Sequence, residues 1–256
     1  TSAVATAALG RALMATATLS SMLKENGASV TLTIDGDGPL GKLICVGDSE
    51  TVRGLVTDPT VRLPLRDGHL DVGRAVGHSG RMSIVKDLRL KTPYIGQIEL
   101  RTGEISEDLA YYYVQSEQSP SLVSLGVSCS DESVAAAGGM LLQPLPDCPD
   151  EIISQLELRS PIFGDIAAEL QHEEPQALLA AWLDGLHPVV LEETPLSYRC
   201  HCSRARMEKA LISLGPEEIQ RMIADEIDGA QLVCHFCNEK YAFTTHDLIR
   251  ILNKMR

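Results

Sequence analysis

The chain has 256 residues, of which 44% are hydrophobic and only 4% aromatic. This length and composition exclude a disordered chain and predict one large or two smaller folded domains with a mostly aliphatic core. The formal net charge of -13 disfavours contact with phosphate backbones, so we expect no nucleic-acid partner. Neither a basic-then-apolar leader nor a membrane-spanning apolar run is predicted, so we expect a cytoplasmic protein without a membrane partner.

The first predicted element is a helix over residues 2–24, rich in Ala and Thr, which Asn26-Gly27 ends. Because the chain begins at Thr1, almost inside this helix, we expect the natural protein to have residues before it. Apolar residues then alternate with Thr over residues 30–34, a pattern typical of a half-buried strand. The glycines of 36–39 predict a turn rather than a phosphate-binding loop, because neither the Lys nor the helix of such a loop follows.

Further strands alternate with turn residues up to about residue 143. A helix is predicted to begin after Ser106, as its N-cap, and to continue to Ser116. The other predicted strands are 42–46, 52–57, 82–87, 96–101, 122–129 and 134–143. Together these elements predict an α+β fold in which residues 1–147 form an antiparallel-sheet domain with helices.

A change of character at 144–149, with three prolines in six residues, indicates a domain boundary. Residues 151–186 read as short acidic helices interrupted by Pro and Gly. Helices this short are marginal unless they pack on something else. The pattern fits both a small stable helical subdomain and a metastable linker able to unfold, and by itself it favours the subdomain.

The last part of the chain, 198–256, is predicted to be a separate small module. Its predicted order is a strand with cysteines, a helix over 203–214 capped by Ser203, a helix over 216–225, a hairpin with cysteines, and a helix over 245–254. A module of this size has a small core, for which a bound metal commonly compensates.

Cysteine spacing carries the strongest chemical signal. Of seven cysteines, four lie in this module as a C-x-C pair and a C-x-x-C pair: Cys200, Cys202, Cys234 and Cys237. Two such pairs at the two ends of a small module supply the four soft ligands of tetrahedral zinc. We therefore predict one zinc ion per chain on these four thiolates. The histidines between the paired cysteines are left out, because four thiolates complete the coordination shell.

The zinc could serve only to hold the fold together, or its loss could regulate the protein. A Cys200–Cys202 disulfide would be strained, because two residues of extended chain span at most ~6.6–7.2 Å, near the upper limit of Cα separation in a disulfide. A Cys234–Cys237 disulfide forms more easily. Formation of either disulfide would remove zinc ligands. The ion would then leave, and the folding free energy that zinc binding supplies would be lost with it.

At this point the sequence resembles a known family. The segments CHCSRARMEKAL (200–211) and VCHFCNEKYAFT (233–244) are similar to the zinc module of the heat-shock protein 33 family. Four further segments agree with that family along the chain: ALGRALMATATL, GDGPLG, SEQSPS and AAAGGMLLQPLP.

The resemblance implies a redox-regulated, ATP-independent holdase chaperone of the bacterial cytoplasm, and not an enzyme. The reduced, zinc-bound form would be inactive. Oxidants would form disulfides within each pair, Cys200–Cys202 and Cys234–Cys237, with loss of zinc and unfolding of the 198–256 module and the 148–197 linker. The exposed surface would bind unfolding client proteins, and the activated form would be a homodimer. Three cysteines, Cys45, Cys129 and Cys148, lie outside the family motif.

Two other classes of protein remain as alternatives. A zinc-stapled thiol-disulfide oxidoreductase would use Cys234 and Cys237, but this pair does not follow the first strand of a βαβ unit. A zinc-ribbon binding module would use a small basic cluster, which reads more simply as a solvated helix face or as partners for acidic residues. The cluster consists of Arg199, Arg204, Arg206 and Lys209.

Overall fold

The computed structural model describes residues 1–225 and 229–255. They form two compact units, the first covering Thr1–Tyr198 and the second beginning at Arg199. Antiparallel strands and helices make up the first unit, which confirms the predicted α+β class. The finer division into 1–147, 148–197 and 198–256 stays a prediction.

The first unit contains most of the secondary structure. Its elements in chain order are α1 (Ala3–Ser21), β1 (Ser29–Gly36), β2 (Lys42–Gly47), β3 (Thr51–Val56), α2 (Val72–Val76), β4 (Gly80–Asp87), β5 (Tyr94–Glu99), α3 (Ile105–Gln115), β6 (Leu122–Cys129), β7 (Val134–Leu142), α4 (Asp150–Arg159), a 3-10 helix (Ser160–Asp165), α5 (Ile166–Glu169), α6 (Pro175–Trp182) and β8 (Ser197–Tyr198).

Six strands form the main sheet, in the order β5-β4-β1-β2-β3-β8, while β6 and β7 form a separate hairpin. Every pair in the main sheet is antiparallel except the short parallel pair of β3 and β8. The alternation predicted for β1 is confirmed, since Val30, Leu32 and Ile34 are at most 1% exposed. The predicted turn at 36–39 joins β1 to β2.

Helix α1 lies between the main sheet and the hairpin, contacting β1, β2 and β3 as well as β6 and β7. Leu9 and Leu13 face Gly54 of β3, whereas Gly10 faces Val127 of β6. In length and hydropathy α1 is the one described helix that would suffice to cross a membrane, contrary to the expectation that no run would. Half of that segment is buried, as the core helix of a folded domain requires.

Two predicted helix ends differ from the structure. Helix α1 ends at Ser21, before the Asn26-Gly27 stop. Ser106 is not the N-cap of α3: the helix begins at Ile105, with Glu104 in the cap position. The buried carboxylate of Asp108 accepts hydrogen bonds from the backbone N–H groups of Arg101 and Gly103, each at 2.9 Å. These bonds fix the loop before α3 and thereby the residue at which the helix begins.

The outer face of the β6–β7 hairpin is covered by the chain that follows it. Four large buried side chains after β7 form most of this cover, and they pack with Leu122, Met140 and Leu170: Phe163, Ile166, Leu178 and Trp182. Ala167 is buried beside them. The covering side chains can approach the hairpin closely because two of its positions are glycines. A Cβ at Gly126 would lie 2.7 Å from the Ile166 side chain, and one at Gly138 would lie 2.0 Å from Leu170.

The remaining part of this region is poorly buried. Helix α4 has no buried residue, and Leu158 within it is 82% exposed. Residues 183–196 lie outside helices and strands, with Leu191 94% exposed. The segment ends in β8, where the Tyr198 hydroxyl donates to the carbonyl of Gly54 at 3.1 Å.

The second unit contains α7 (Arg204–Ser213), α8 (Pro216–Ala224), β9 (Ala230–Val233), β10 (Lys240–Phe243) and α9 (Thr245–Lys254). The predicted helices and hairpin are confirmed, and Ser203 caps α7 by accepting the Arg206 N–H at 3.3 Å. The first cysteine pair was predicted to lie in a strand, but it lies in a loop, because β8 ends at Tyr198 before Cys200. Six buried residues form the core of the unit: Leu211, Ile219, Phe243, Leu248, Ile251 and Leu252.

Candidate metal centre

The structure brings the four predicted cysteines together in the second unit. Cys200 and Cys202 lie in the loop before α7, Cys234 follows the last residue of β9, and Cys237 lies in the turn before β10. Their four Sγ atoms all lie within 4.8 Å of one another. Among the His, Cys, Asp and Glu side chains that the structure describes, they form the one group arranged to hold a metal ion.

The distances between sulfurs suit a tetrahedral ion. The Sγ atoms of Cys200 and Cys234 are 3.6 Å apart, and those of Cys202 and Cys237 are 3.3 Å apart. Four thiolates at a Zn–S distance of about 2.3 Å would have sulfurs about 3.8 Å apart at tetrahedral angles. A disulfide, by contrast, needs about 2.05 Å. The spacing therefore fits four separate sulfur ligands around one ion better than two bonded pairs.

The turn between Cys234 and Cys237 is built by backbone hydrogen bonds. The N–H of Cys234 donates to the carbonyl of Glu239 at 2.9 Å, and the N–H of Asn238 donates to the carbonyl of Cys234 at 2.8 Å. Asn238 has a φ of 59°, a conformation that Asn tolerates better than most residues. This turn aims both sulfurs at the same point.

The cluster favours one ionised sulfur. Burial opposes ionisation of Cys234, but the N–H groups of Cys237 and Phe236 outweigh it and lower the pKa to about 7. The N–H of Glu239 favours the Cys237 thiolate, but contact with the Cys202 sulfur and its neighbours raises the pKa of Cys237 to about 12. Burial raises the pKa of Cys200. Several sulfurs packed together cannot all ionise unaided, and a cation in their midst removes that penalty.

Arg204 connects the first cysteine pair to the rest of the unit. Its guanidinium donates to the carbonyl of Ala242 at 2.5 Å and to the carboxylate of Asp247 at 2.8 Å, and it lies 4.4 Å from the centre of the Phe243 ring. Asp247 is itself held by a capping box with Thr244 at the start of α9. Arg204 thus fixes the loop that precedes α7 against β10 and α9.

Sequence reasoning gave no role to Tyr241 and treated Arg204 only as part of a basic cluster. The Tyr241 hydroxyl donates to the Sγ of Cys202 at 3.2 Å. The sequence holds no signal for this contact, because it joins residues 39 positions apart through the register of the β9–β10 hairpin. Arg204 is engaged within the fold, which weakens the interpretation of the basic cluster as a nucleic-acid surface.

The other three cysteines belong to the first unit. Cys45 is buried in the core of the first unit, and this burial raises its pKa to about 12. Cys129 is half-buried, with its thiol donating to the carbonyl of Ala3 at 3.4 Å. Cys148 is half-buried just before α4. All three belong to the first unit and offer no ligand to the four-sulfur group.

Fold and site together define an α+β protein with a small C-terminal four-cysteine module. Comparison with known proteins agrees with this description along the whole chain. The family model described as "Hsp33 protein" matches residues 1–244. This chain therefore belongs to the heat-shock protein 33 family, as the sequence motifs predicted.

Individual relatives cover nearly the same length. The 33 kDa chaperonin of Caldanaerobacter subterraneus is 44% identical over 254 residues, which are 98% of this chain and 86% of that protein. The 33 kDa chaperonin of Bacillus licheniformis is 45% identical over 248 residues, 95% of this chain and 85% of that protein. The crystal structure of the Thermotoga maritima 33 kDa chaperonin superposes with a TM-score of 0.88 at 36% identity, covering 99% of this chain and 87% of that one.

Proposed function

We propose that this chain is a redox-regulated, ATP-independent holdase that binds unfolding proteins under oxidative stress in the bacterial cytoplasm. Membership of a family of chaperones supports the class. The observation that carries the regulation is the convergence of four cysteine sulfurs within 4.8 Å, because oxidants react with such sulfurs and thereby destroy any metal site that they form.

The resident ion in this proposal is zinc, held by Cys200, Cys202, Cys234 and Cys237 in the reduced state. All four donors are thiolates, the ligand type that structural zinc sites favour. Bound zinc would supply folding free energy of roughly 10–16 kcal/mol to a unit whose core, in the residues described, consists of six buried side chains.

Activation begins with oxidation of the cysteines. In each pair two thiolates give two electrons to the oxidant and form one disulfide, Cys200–Cys202 or Cys234–Cys237. These pairings come from the family resemblance, whereas the sulfur contacts of 3.6 Å and 3.3 Å described above run between the pairs. Disulfides within the pairs and disulfides between the pairs would both remove the zinc ligands. The second unit would then lose the folding free energy that the ion contributes.

The segment 148–197 is the linker in this proposal. It is held on the β6–β7 hairpin mainly by four buried side chains, with α4 contributing none. Its helices have 10, 4 and 8 residues, and isolated helices shorter than about 12–15 residues are marginal in water. Unfolding of this segment would uncover the outer face of the hairpin, including Leu122 and Met140, as apolar surface for client proteins. The activated form would assemble as a homodimer.

The experiment compares reduced and peroxide-oxidised protein. Reduced protein is expected to contain about one zinc per chain and to leave a thermally denaturing client protein unprotected. Oxidised protein is expected to lose zinc and to suppress client aggregation without ATP. Replacing all four cysteines of the second unit by Ser should abolish zinc binding and make aggregation suppression independent of oxidant.

The matched control is Cys148→Ser, which removes a half-buried thiol of the first unit. It should leave zinc content and the response to peroxide unchanged. Equal aggregation suppression by reduced and oxidised wild-type protein would contradict the proposal, and a requirement for ATP would exclude the class of chaperone.

A further inference from the structure

We propose that Tyr241 is a positioning residue that restrains the reaction of Cys202 with oxidants, and so sets the oxidant threshold of the C-x-C pair. The inference deepens the proposed function and rests on it for its biological meaning. Its chemistry, however, concerns one hydrogen bond and can be tested separately.

The hydroxyl of Tyr241 is placed by the fold. Tyr241 is the second residue of β10 and pairs with Leu232 across the hairpin, and its half-buried ring packs against the core of the second unit. With the ring held in this way, the hydroxyl reaches the Sγ of Cys202 at 3.2 Å. A half-buried ring packed on the core directs its polar end without losing much side-chain freedom.

Cys202 differs from the other sulfurs in the kind of donor that it faces. The sulfur of Cys200 faces the N–H of Cys202, that of Cys234 faces the N–H groups of Phe236 and Cys237, and that of Cys237 faces the N–H of Glu239. Those donors belong to the backbone and stay whatever the side chains are. The donor to Cys202 is a side-chain hydroxyl, so a single substitution can change it.

A hydrogen bond to a thiolate sulfur withdraws electron density from the atom that must attack the oxidant. Hydrogen peroxide takes an electron pair from a thiolate: an S–O bond forms, the O–O bond breaks, hydroxide leaves, and the sulfur becomes a sulfenic acid. The second thiolate of the pair then attacks that sulfur, forming the S–S bond and releasing another hydroxide. Two thiolates thus give two electrons to one peroxide, and a less nucleophilic Cys202 slows the first step.

The test uses the full chain with Tyr241→Phe, which removes the hydroxyl and keeps the ring. Wild-type and variant protein, loaded with zinc, are treated with hydrogen peroxide, quenched with an alkylating reagent and analysed by mass spectrometry for oxidation at Cys200 and Cys202. A chromogenic chelator follows zinc release in parallel. We expect oxidation of this pair and zinc release to accelerate on the order of ten-fold, the scale of effects from partners of metal ligands. The initial zinc content should be unchanged.

The matched control is Tyr94→Phe, which removes a hydroxyl lying 3.4 Å from Ser116 in the first unit and should leave both rates as in wild type. A second variant changes the bond in the opposite direction. Site-specific 3-fluorotyrosine at position 241 makes the hydroxyl a stronger donor at nearly constant size, and it should slow the oxidation of Cys202.

Oxidation of Cys202 at the wild-type rate in Tyr241→Phe, or no slowing by 3-fluorotyrosine in folded protein, would overturn the inference. A failure of the proposed function is recognised separately, as aggregation suppression by wild-type protein that does not change with oxidation. The rate at Cys202 is measured directly on the thiol, so it reports on Tyr241 in either case.

Discussion

Arg204 is the residue through which the first cysteine pair is fixed to the rest of the second unit. It makes two hydrogen bonds, to Ala242 and Asp247, and stacks on Phe243. A planar guanidinium can do all three at once, which the single ammonium of Lys cannot. Replacing Arg204 by Lys or Ala should therefore loosen the loop that carries Cys200 and Cys202.

We expect Arg204→Ala to weaken zinc binding on the order of ten-fold, and Arg204→Lys to restore only part of the loss. The measurement is competition for zinc with a chromogenic chelator at fixed pH. Arg206→Ala is the control, because the Arg206 side chain is exposed on the same helix turn. Equal affinity in the Arg204 and Arg206 variants would show that this contact does not position the ligands.

At the scale of single residues, spacing identified the cysteines but not their surroundings. Two cysteine pairs at the ends of a small module are sufficient to predict a metal site, because zinc chemistry demands that ligand set. The contacts of Arg204 and Tyr241 depend on which residues of β10 lie beside the loop that carries Cys200 and Cys202. That arrangement is tertiary and cannot be predicted from the local sequence.

Among the elements, the cover on the β6–β7 hairpin depends on a small group of buried side chains. Phe163 and Trp182 meet edge to face with ring centres 5.3 Å apart, and both are at least 94% buried. Trp→Ala substitutions at buried sites cost roughly 3–5 kcal/mol. The short helices of this region are held on the hairpin by this apolar cluster together with a few hydrogen bonds, such as that from the Ser124 hydroxyl to the Phe163 carbonyl.

Trp182→Ala should therefore release the segment while the second unit remains intact. We expect reduced Trp182→Ala protein to keep its zinc, to bind more of a hydrophobic fluorescent dye than wild type, and to suppress client aggregation in part without oxidant. Leu158→Ala is the matched control, because Leu158 is 82% exposed and should change nothing. Wild-type dye binding by Trp182→Ala would show that the cover does not conceal the apolar surface.

Helices and strands with a long periodic sequence pattern were predicted correctly. Those that are very short, or whose ends depend on tertiary contacts, were not. Strands β1 to β7 and the main helices follow from alternation and turn residues. Helix α2 has only five residues, too few for a periodic pattern, and it was missed. The start of α3 is set by the buried Asp108 carboxylate, so the Ser106 cap suggested by sequence was wrong.

For the whole molecule, the proposed function joins a metal site in the second unit to the order of a segment in the first. The two are neighbours along the chain, since Cys200 lies two residues after Tyr198, the last residue of β8. Proximity in sequence and the sparse burial of 183–196 make transmission of unfolding physically reasonable. Sequence patterns fitted both a stable subdomain and a metastable linker here and favoured the subdomain, whereas the family resemblance pointed to the linker.

Hydrogen–deuterium exchange of reduced and peroxide-oxidised protein, resolved by peptide, tests this coupling most directly. Oxidised protein should lose protection throughout the second unit and in the amides of α4, α5 and α6, while the main sheet keeps its protection. Retention of full protection over residues 148–197 after complete oxidation and loss of zinc would contradict the coupling and leave the ion a purely structural part of the fold.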